Sequence, residues 1–225
     1  MEKYDSSIET IKHISAVANY LTQISDILKS NADTRINDKM LYLENATLVD
    51  LLLAYNNGYE IPSYSETLNS INSNSRLYLK TSETDKNELL KQYLEELQER
   101  ATNHDKSKLM APEKQGFDIY TPALKNVEYG SQEYQQYLKA MQKFIQHHYR
   151  YNRHHPEHFG NGINGMTIMD LTEMICDWKA SSERHATGNF IESIGTINKQ
   201  RFGYDTEMET ILKNTAEKCL IKRPN

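Results

Sequence analysis

Apolar residues recur at steps of three and four along the opening segment: Ile8, Ile11, Ile14, Val17, Ala18, Leu21, Ile24, Ile27 and Leu28. That period puts them on one face of an α-helix of roughly six turns, a face that other elements must cover. Asp5 or Ser6 stands where its N-cap is wanted. The same period returns in Leu89, Leu90, Tyr93, Leu94 and Leu97, in Tyr134, Tyr137, Leu138, Met141, Phe144 and Ile145, and in Ile168, Leu171, Met174 and Ile175. Helices are therefore expected from Thr84, with Asp85 as a cap, into Thr102, and from about Ser131 to His148. Two more are expected, from Thr167 through Trp178 and from about Thr206 to Glu217. No alternating strand pattern persists and no internal repeat is visible, so the expected fold class is all-α.

Two stretches break the periodicity. Residues 30 to 85 are rich in Asn, Ser, Thr and Tyr, with turn formers at Asn56-Asn57-Gly58 and Pro62, and only Leu48 to Leu53 reads as helical. They are expected to form an insertion or flap within one domain spanning residues 1 to 225. Their leucines and tyrosines seek burial, which argues against a disordered linker. The run MAPEKQGFDIYTPALKNVEYGS, carrying Pro112 and Pro122, is expected to be a loop.

At 225 residues the chain can bury a sizeable core. A net charge of −5 and a pI near 5.9 argue against general affinity for nucleic acid or anionic membranes. No stretch approaches the ~20 apolar residues of a membrane span, and the first residues carry no apolar signal core. Cys176 and Cys219, with no CxxC spacing, are expected to be reduced thiols. The expected location is the cytoplasm. No heptad pattern calls for an oligomer.

Eight histidines are present, and two places hold most of their meaning: His104-Asp105 in NHDKSKL, and HHYRYNRHH from His147 to His155. With His13 and Asp177 the order becomes His, His-Asp, His, His, Asp. Neutral imidazoles and ionised carboxylates are what borderline divalent ions bind. Neighbours on a helix point about 100° apart, so His104 and Asp105 reach one centre only at a helix end or bend. Lys106-Ser107-Lys108-Leu109 and the later Pro112 suit such an end. Asp105 is then placed to bridge two ions, and Lys108 to offer a cation to an anionic substrate. His147 and His154 are seven apart, as are His148 and His155, which is about two turns and one face if the helix runs that far. One member of each pair is expected as a ligand, with His148 and His155 preferred over His147 and His154.

Glu173 and Asp177 are four apart on one helical face, among Met174, Ile175 and Trp178. A buried carboxylate requires a metal or a basic partner. Asp177 is the expected ligand, while Glu173 either orients a histidine or pairs with a cation. Lys179 and Arg184 are candidates for the mouth of the site. His158 and His185 follow no pattern and are expected to be exposed.

The ligand order His13, His104-Asp105, His148, His155, Asp177 resembles that of the HD superfamily of metal-dependent phosphohydrolases, whose core is a helical bundle. His104-Asp105-Lys106-Ser107-Lys108 is similar to the HDxGK form, with Ser107 where glycine is common, and in that form the lysine contacts substrate. About three-quarters of the chain, all but residues 30 to 85, also resembles an uncharacterised HD-like family found in phage and bacterial genomes. That likeness runs through HDKSKL, APEKQGFDIYTP, NRHHPEHF, NGINGMT, EMICDWKA, RHATGNF and ILKNTAE.

The resemblance implies an HD-type bundle that hydrolyses the phosphate ester of a nucleotide or another small phosphorylated metabolite. His13, His104, Asp105 and Asp177 would hold one ion, and Asp105, His148 and His155 another, the metal being Mn, Fe, Zn or Ni. Such a pair activates a bridging water and neutralises phosphoryl charge. Lys108, with Arg153 or Lys179, would bind phosphate oxygens. Tyr55, Tyr59 and Tyr64 could close over a base or sugar. Two other readings use the same residues: a di-iron oxygenase, as in some HD relatives, and a non-catalytic module that binds a nucleotide or a host protein.

Overall fold

Along the first helix, α1 (Ser7–Ser30), the residues turned inward are His13, Val17, Leu21, Ile24 and Leu28. Ile8 and Ile11 share the sequence period but remain 61% and 52% exposed. An imidazole therefore forms the last buried rung of an otherwise aliphatic ladder. Ser6 holds the N-cap position without a side-chain cap and turns its amide and hydroxyl toward Asp118, while Asp5, one residue earlier, accepts from the Ser7 amide. The computed structural model describes residues 4–32, 46–56, 86–128, 131–184 and 189–221.

Helix α2 (Leu48–Asn56) buries Leu48, Val49, Leu51, Leu52 and Leu53. This part of the segment expected as a flap therefore belongs to the main core, because a run apolar on nearly every side can only be stable when enclosed. Thr215 Oγ1 accepts from the Leu48 amide at 2.9 Å and donates to the Ile211 carbonyl at 2.7 Å. Tyr59, Tyr64, His185 and the expected cap Asp85 lie outside the described residues.

Helix α3 (Lys86–Asn103) leads into a 3-10 turn, Lys106–Leu109. Helices α4 (Glu113–Lys125), α5 (Gln132–Tyr151) and α6 (Ile168–Ser182) follow. Short 3-10 turns, Pro156–His158 and Gly162–Gly165, connect α5 to α6. Then come α7 (Phe190–Ser193), a π-turn Ile194–Asn198, α8 (Lys199–Phe202), α9 (Thr206–Thr215) and a closing π-turn Ala216–Leu220. The fold is all-α; among the described residues no strand occurs.

Helix α6 is the centre of this arrangement, with every residue from Met169 to Asp177 buried. Thr167 and Asp170 start it with a reciprocal capping box. Helix α1 packs along α3 and α6, while α2, α9 and the closing turn cover the far end of the core.

The prolines of MAPEKQGFDIYTPALK predict a loop, but the chain forms α4 there. Pro112 stands at the N-cap, where a missing N–H costs no helical bond. Pro122 gives up one bond near the last turn. Docking on α5 offsets that loss. Tyr120 lies 6.0 Å from the Phe144 ring and 6.5 Å from that of Tyr137. A Cβ on Gly116 would stand 2.3 Å from the Phe144 ring, so only glycine admits this approach.

Cys176 and Cys219 are free and buried. Among the described residues no helix is long and apolar enough to cross a membrane.

Candidate metal centre

Helix α3 stops at Asn103, and Asp105 follows with φ 54°, in the left-handed region. This is the helix end that adjacency demanded: the reversed backbone lets His104 and Asp105 face one centre. Holding a non-glycine residue there costs on the order of 1 kcal/mol or more. Asp105 is completely buried, and it turns one oxygen to each of two groups of imidazoles. Its Oδ2 lies 3.7 Å from His13 Nε2 and 3.6 Å from His104 Nε2. Its Oδ1 lies 3.2 Å from His148 Nε2 and 3.5 Å from His154 Nε2.

The first group comprises His13, His104, Asp105 and Asp177. His13 reaches Asp177 Oδ1 at 2.7 Å, and His104 Nε2 is 3.8 Å from the same oxygen. The second comprises Asp105, His148, His154 and His155. Helix α5 ends at Tyr151 and Asn152 is extended, so the two-turn spacing that paired the histidines does not apply. The turn beyond the helix brings His154 and His155 back toward His148 together. His147 stays outside, half-buried, with its ring tilted 36° to the Tyr151 ring at 4.5 Å. The expected His148 and His155 are in the group, and the non-preferred His154 joins them.

Carboxylates behind the rings set their orientation. Glu173 Oε1 accepts from His104 Nδ1 at 2.8 Å and pairs with His154 Nδ1 at 3.2 Å. Glu113, fully buried, accepts from His148 Nδ1 at 2.8 Å, from His147 Nδ1 at 2.7 Å and from the Ser107 hydroxyl at 2.9 Å. A proton held on Nδ1 leaves the Nε2 lone pair facing Asp105, the usual support of a metal-binding imidazole. His104, His154 and Glu173 also lie together, but their short contacts are these ring-to-carboxylate pairs, so we read them as support and not as a third ion site. Arg100 completes the support, joining Glu173 at 2.8 Å, Asp170 at 2.9 Å and Glu96 at 2.7 Å.

The donor set fits a divalent ion. His104 Nε2, His154 Nε2 and Asp105 Oδ1 are buried with no hydrogen-bond partner, a cost of about 1–3 kcal/mol each if nothing else meets them. His148 Nε2 and His155 Nε2 are 2.9 Å apart. Two nitrogens held ~2.1 Å from one ion at right angles would be separated by about 3 Å. Without a cation or a proton between them, two lone pairs at that distance repel.

Charge reinforces the geometry. Burial pushes the Asp105 carboxyl up, but Lys108 and His104 outweigh it and hold the group well below the usual carboxylate range. Burial likewise opposes ionisation of Asp177 and Glu173, and the neighbouring imidazoles overcome it, so both are held low. Burial, then the charge of His154, pushes His155 down to about 2, which keeps it a neutral donor. His154 goes the other way, to about 10, because Asp105 and Glu173 more than offset its burial. An ion would replace that proton.

The candidate substrate cations are placed unequally. Lys108 Nζ is 2.6 Å from Asp105 Oδ2. Arg153 donates to both oxygens of Asp170 and lies 5.0 Å over the Phe159 ring. Lys179 pairs with Glu183 and lies 5.3 Å from the Tyr20 ring centre. Arg184 is exposed, and His158, expected to be exposed too, is half-buried with Nδ1 bonded to the Tyr149 carbonyl at 3.0 Å. Sequence reasoning missed Glu113 and Arg100. Glu113 sits in a proline-bearing run that reads as a loop, 34 and 35 positions before the histidines it bonds, and Arg100 reads as an ordinary helix-surface cation.

Residues 82–221 match the model of a family of unknown function (DUF5662), and the chain belongs to that family. No curated protein and no solved structure matches the chain.

Proposed function

We propose that this member of a family without an assigned activity is a metal-dependent phosphohydrolase acting on a nucleotide or another small phosphorylated metabolite. The observation that carries the reading is the single buried carboxylate, Asp105, flanked by two adjoining sets of histidines whose unpartnered nitrogens converge on it. His13, His104, Asp105 and Asp177 would hold one divalent ion, and Asp105, His148, His154 and His155 the other. Ions bound there supply an activated water and neutralise phosphoryl charge.

The remaining roles fall to the chain itself. Glu173 and Glu113 keep the imidazoles in the tautomer that presents Nε2. Lys108, partly exposed beside Asp105, is the cation best placed to meet a phosphoryl oxygen. Arg153 and Lys179, already paired with acids, are assigned to the walls. The HD-type ligand order supports the same reaction class.

The test is elemental analysis of protein purified without chelator, wild type beside Asp105→Ala, followed by a panel of nucleotides and sugar phosphates. One to two equivalents of Mn, Fe, Zn or Ni in the wild type, with none in the variant, are expected, together with release of inorganic phosphate. Iron would add an oxygen-uptake assay. Metal retained by Asp105→Ala would refute the site. Full loading with no turnover on any phosphate would favour the binding module.

A further inference from the structure

The two oxygens of Asp105 are not equivalent. Oδ1 faces imidazoles and has no hydrogen-bond partner. Oδ2 faces His13 and His104 and also holds the Lys108 ammonium at 2.6 Å. Lys108 lies on the 3-10 turn that begins beside Asp105, three residues further on, and that turn carries its side chain back over the carboxylate. Ser107, on the same turn, is held by Glu113 and Asn152 at 2.9 and 2.8 Å.

We infer that Lys108 is a built-in rival of the ion in the first group. Ammonium and divalent ion compete for Asp105 Oδ2, so the second group loads first, and the first loads only as Lys108 leaves. The inference rests on the metal-site reading above. Two cations at one oxygen repel strongly where little water is present to screen them. Lys108 has room to yield: its side chain is 21% exposed, and its ammonium already lies 5.7 Å from the Phe117 ring centre. Displacement also frees the ammonium for an anion. Filling the first group would thus release the cation that receives the substrate.

The test is calorimetric titration of Mn²⁺ into the metal-free full chain, wild type and Lys108→Met. Lys108→Met is expected to tighten the weaker class of site by about tenfold or more and leave the stronger class unchanged. One equivalent in the wild type and two in the variant would support the same conclusion. A weaker class that is unchanged, or loosened, in Lys108→Met overturns the inference while leaving the metal site standing. Wild-type protein that takes up no manganese overturns both. A melting experiment guards against a folding defect. The metal-free variant, with Asp105 unneutralised, should melt below wild type and gain more from manganese, and an equal gain counts against the inference.

Discussion

His13 and Asp177 come from two helices and His104 from the turn just past the end of a third, and the contact between His13 and Asp177 spans 164 positions of sequence. His148, His154 and His155 come from a single segment where α5 ends. One half of the centre therefore depends on how α1, α3 and α6 pack, while the other depends chiefly on one helix terminus and its turn. Their chemistry differs as well. Two carboxylates and two imidazoles suit a harder ion than one carboxylate and three imidazoles do. The support differs again: His148 and His154 each have a glutamate at Nδ1, whereas His13 Nδ1 is buried without a partner.

The sharpest way to break the comparison is to empty one half at a time. His13→Ala should lose one ion and keep the other, and His155→Ala should do the same for the opposite ion. Elemental analysis after dialysis reads both, and loss of all metal from either variant would mean that the halves are not separable. A smaller effect is expected from the supporting acids. Glu113→Gln should weaken only the second ion, and Glu173→Gln should weaken both because Glu173 backs one histidine of each half. Losses of about 10–100-fold in affinity are the usual scale for such partners. Competition with a fluorescent chelator would measure them, and identical profiles for the two variants would contradict the division. The smallest effect belongs to Arg153→Ala. Its bridge to Asp170 is about half exposed on the arginine side, so urea unfolding should change by less than about 1 kcal/mol, with metal content intact.

Much of this was legible in the sequence. The period of the apolar residues predicts α1, α3, α5 and α6, and adjacency of His104 and Asp105 predicts a helix end or bend beside them, which the stop at Asn103 supplies. Asp177 stands out as a carboxylate on an apolar face. Other features were hidden for identifiable reasons. The choice between His154 and His155 assumed an α5 that continues, while the helix stops at Tyr151 and admits both. Helix α4 was concealed by its prolines, and with it Glu113. Leu48 to Leu53 look like a short run within a polar insertion until α9 is placed beside them. The family match begins at residue 82 and so leaves out His13, although α1 brings that side chain against Asp177.

The bond between the Leu48 amide and the Thr215 hydroxyl has a consequence for how the protein is made. A chain leaving the ribosome presents α2 long before α9 exists. Until Thr215 emerges, the first amide of α2 lacks its acceptor and the leucines behind it lack part of their cover. The core that braces α6 therefore closes only after residue 215 has been synthesised. During that interval the leucines of α2 are the apolar surface that the unfinished core leaves open.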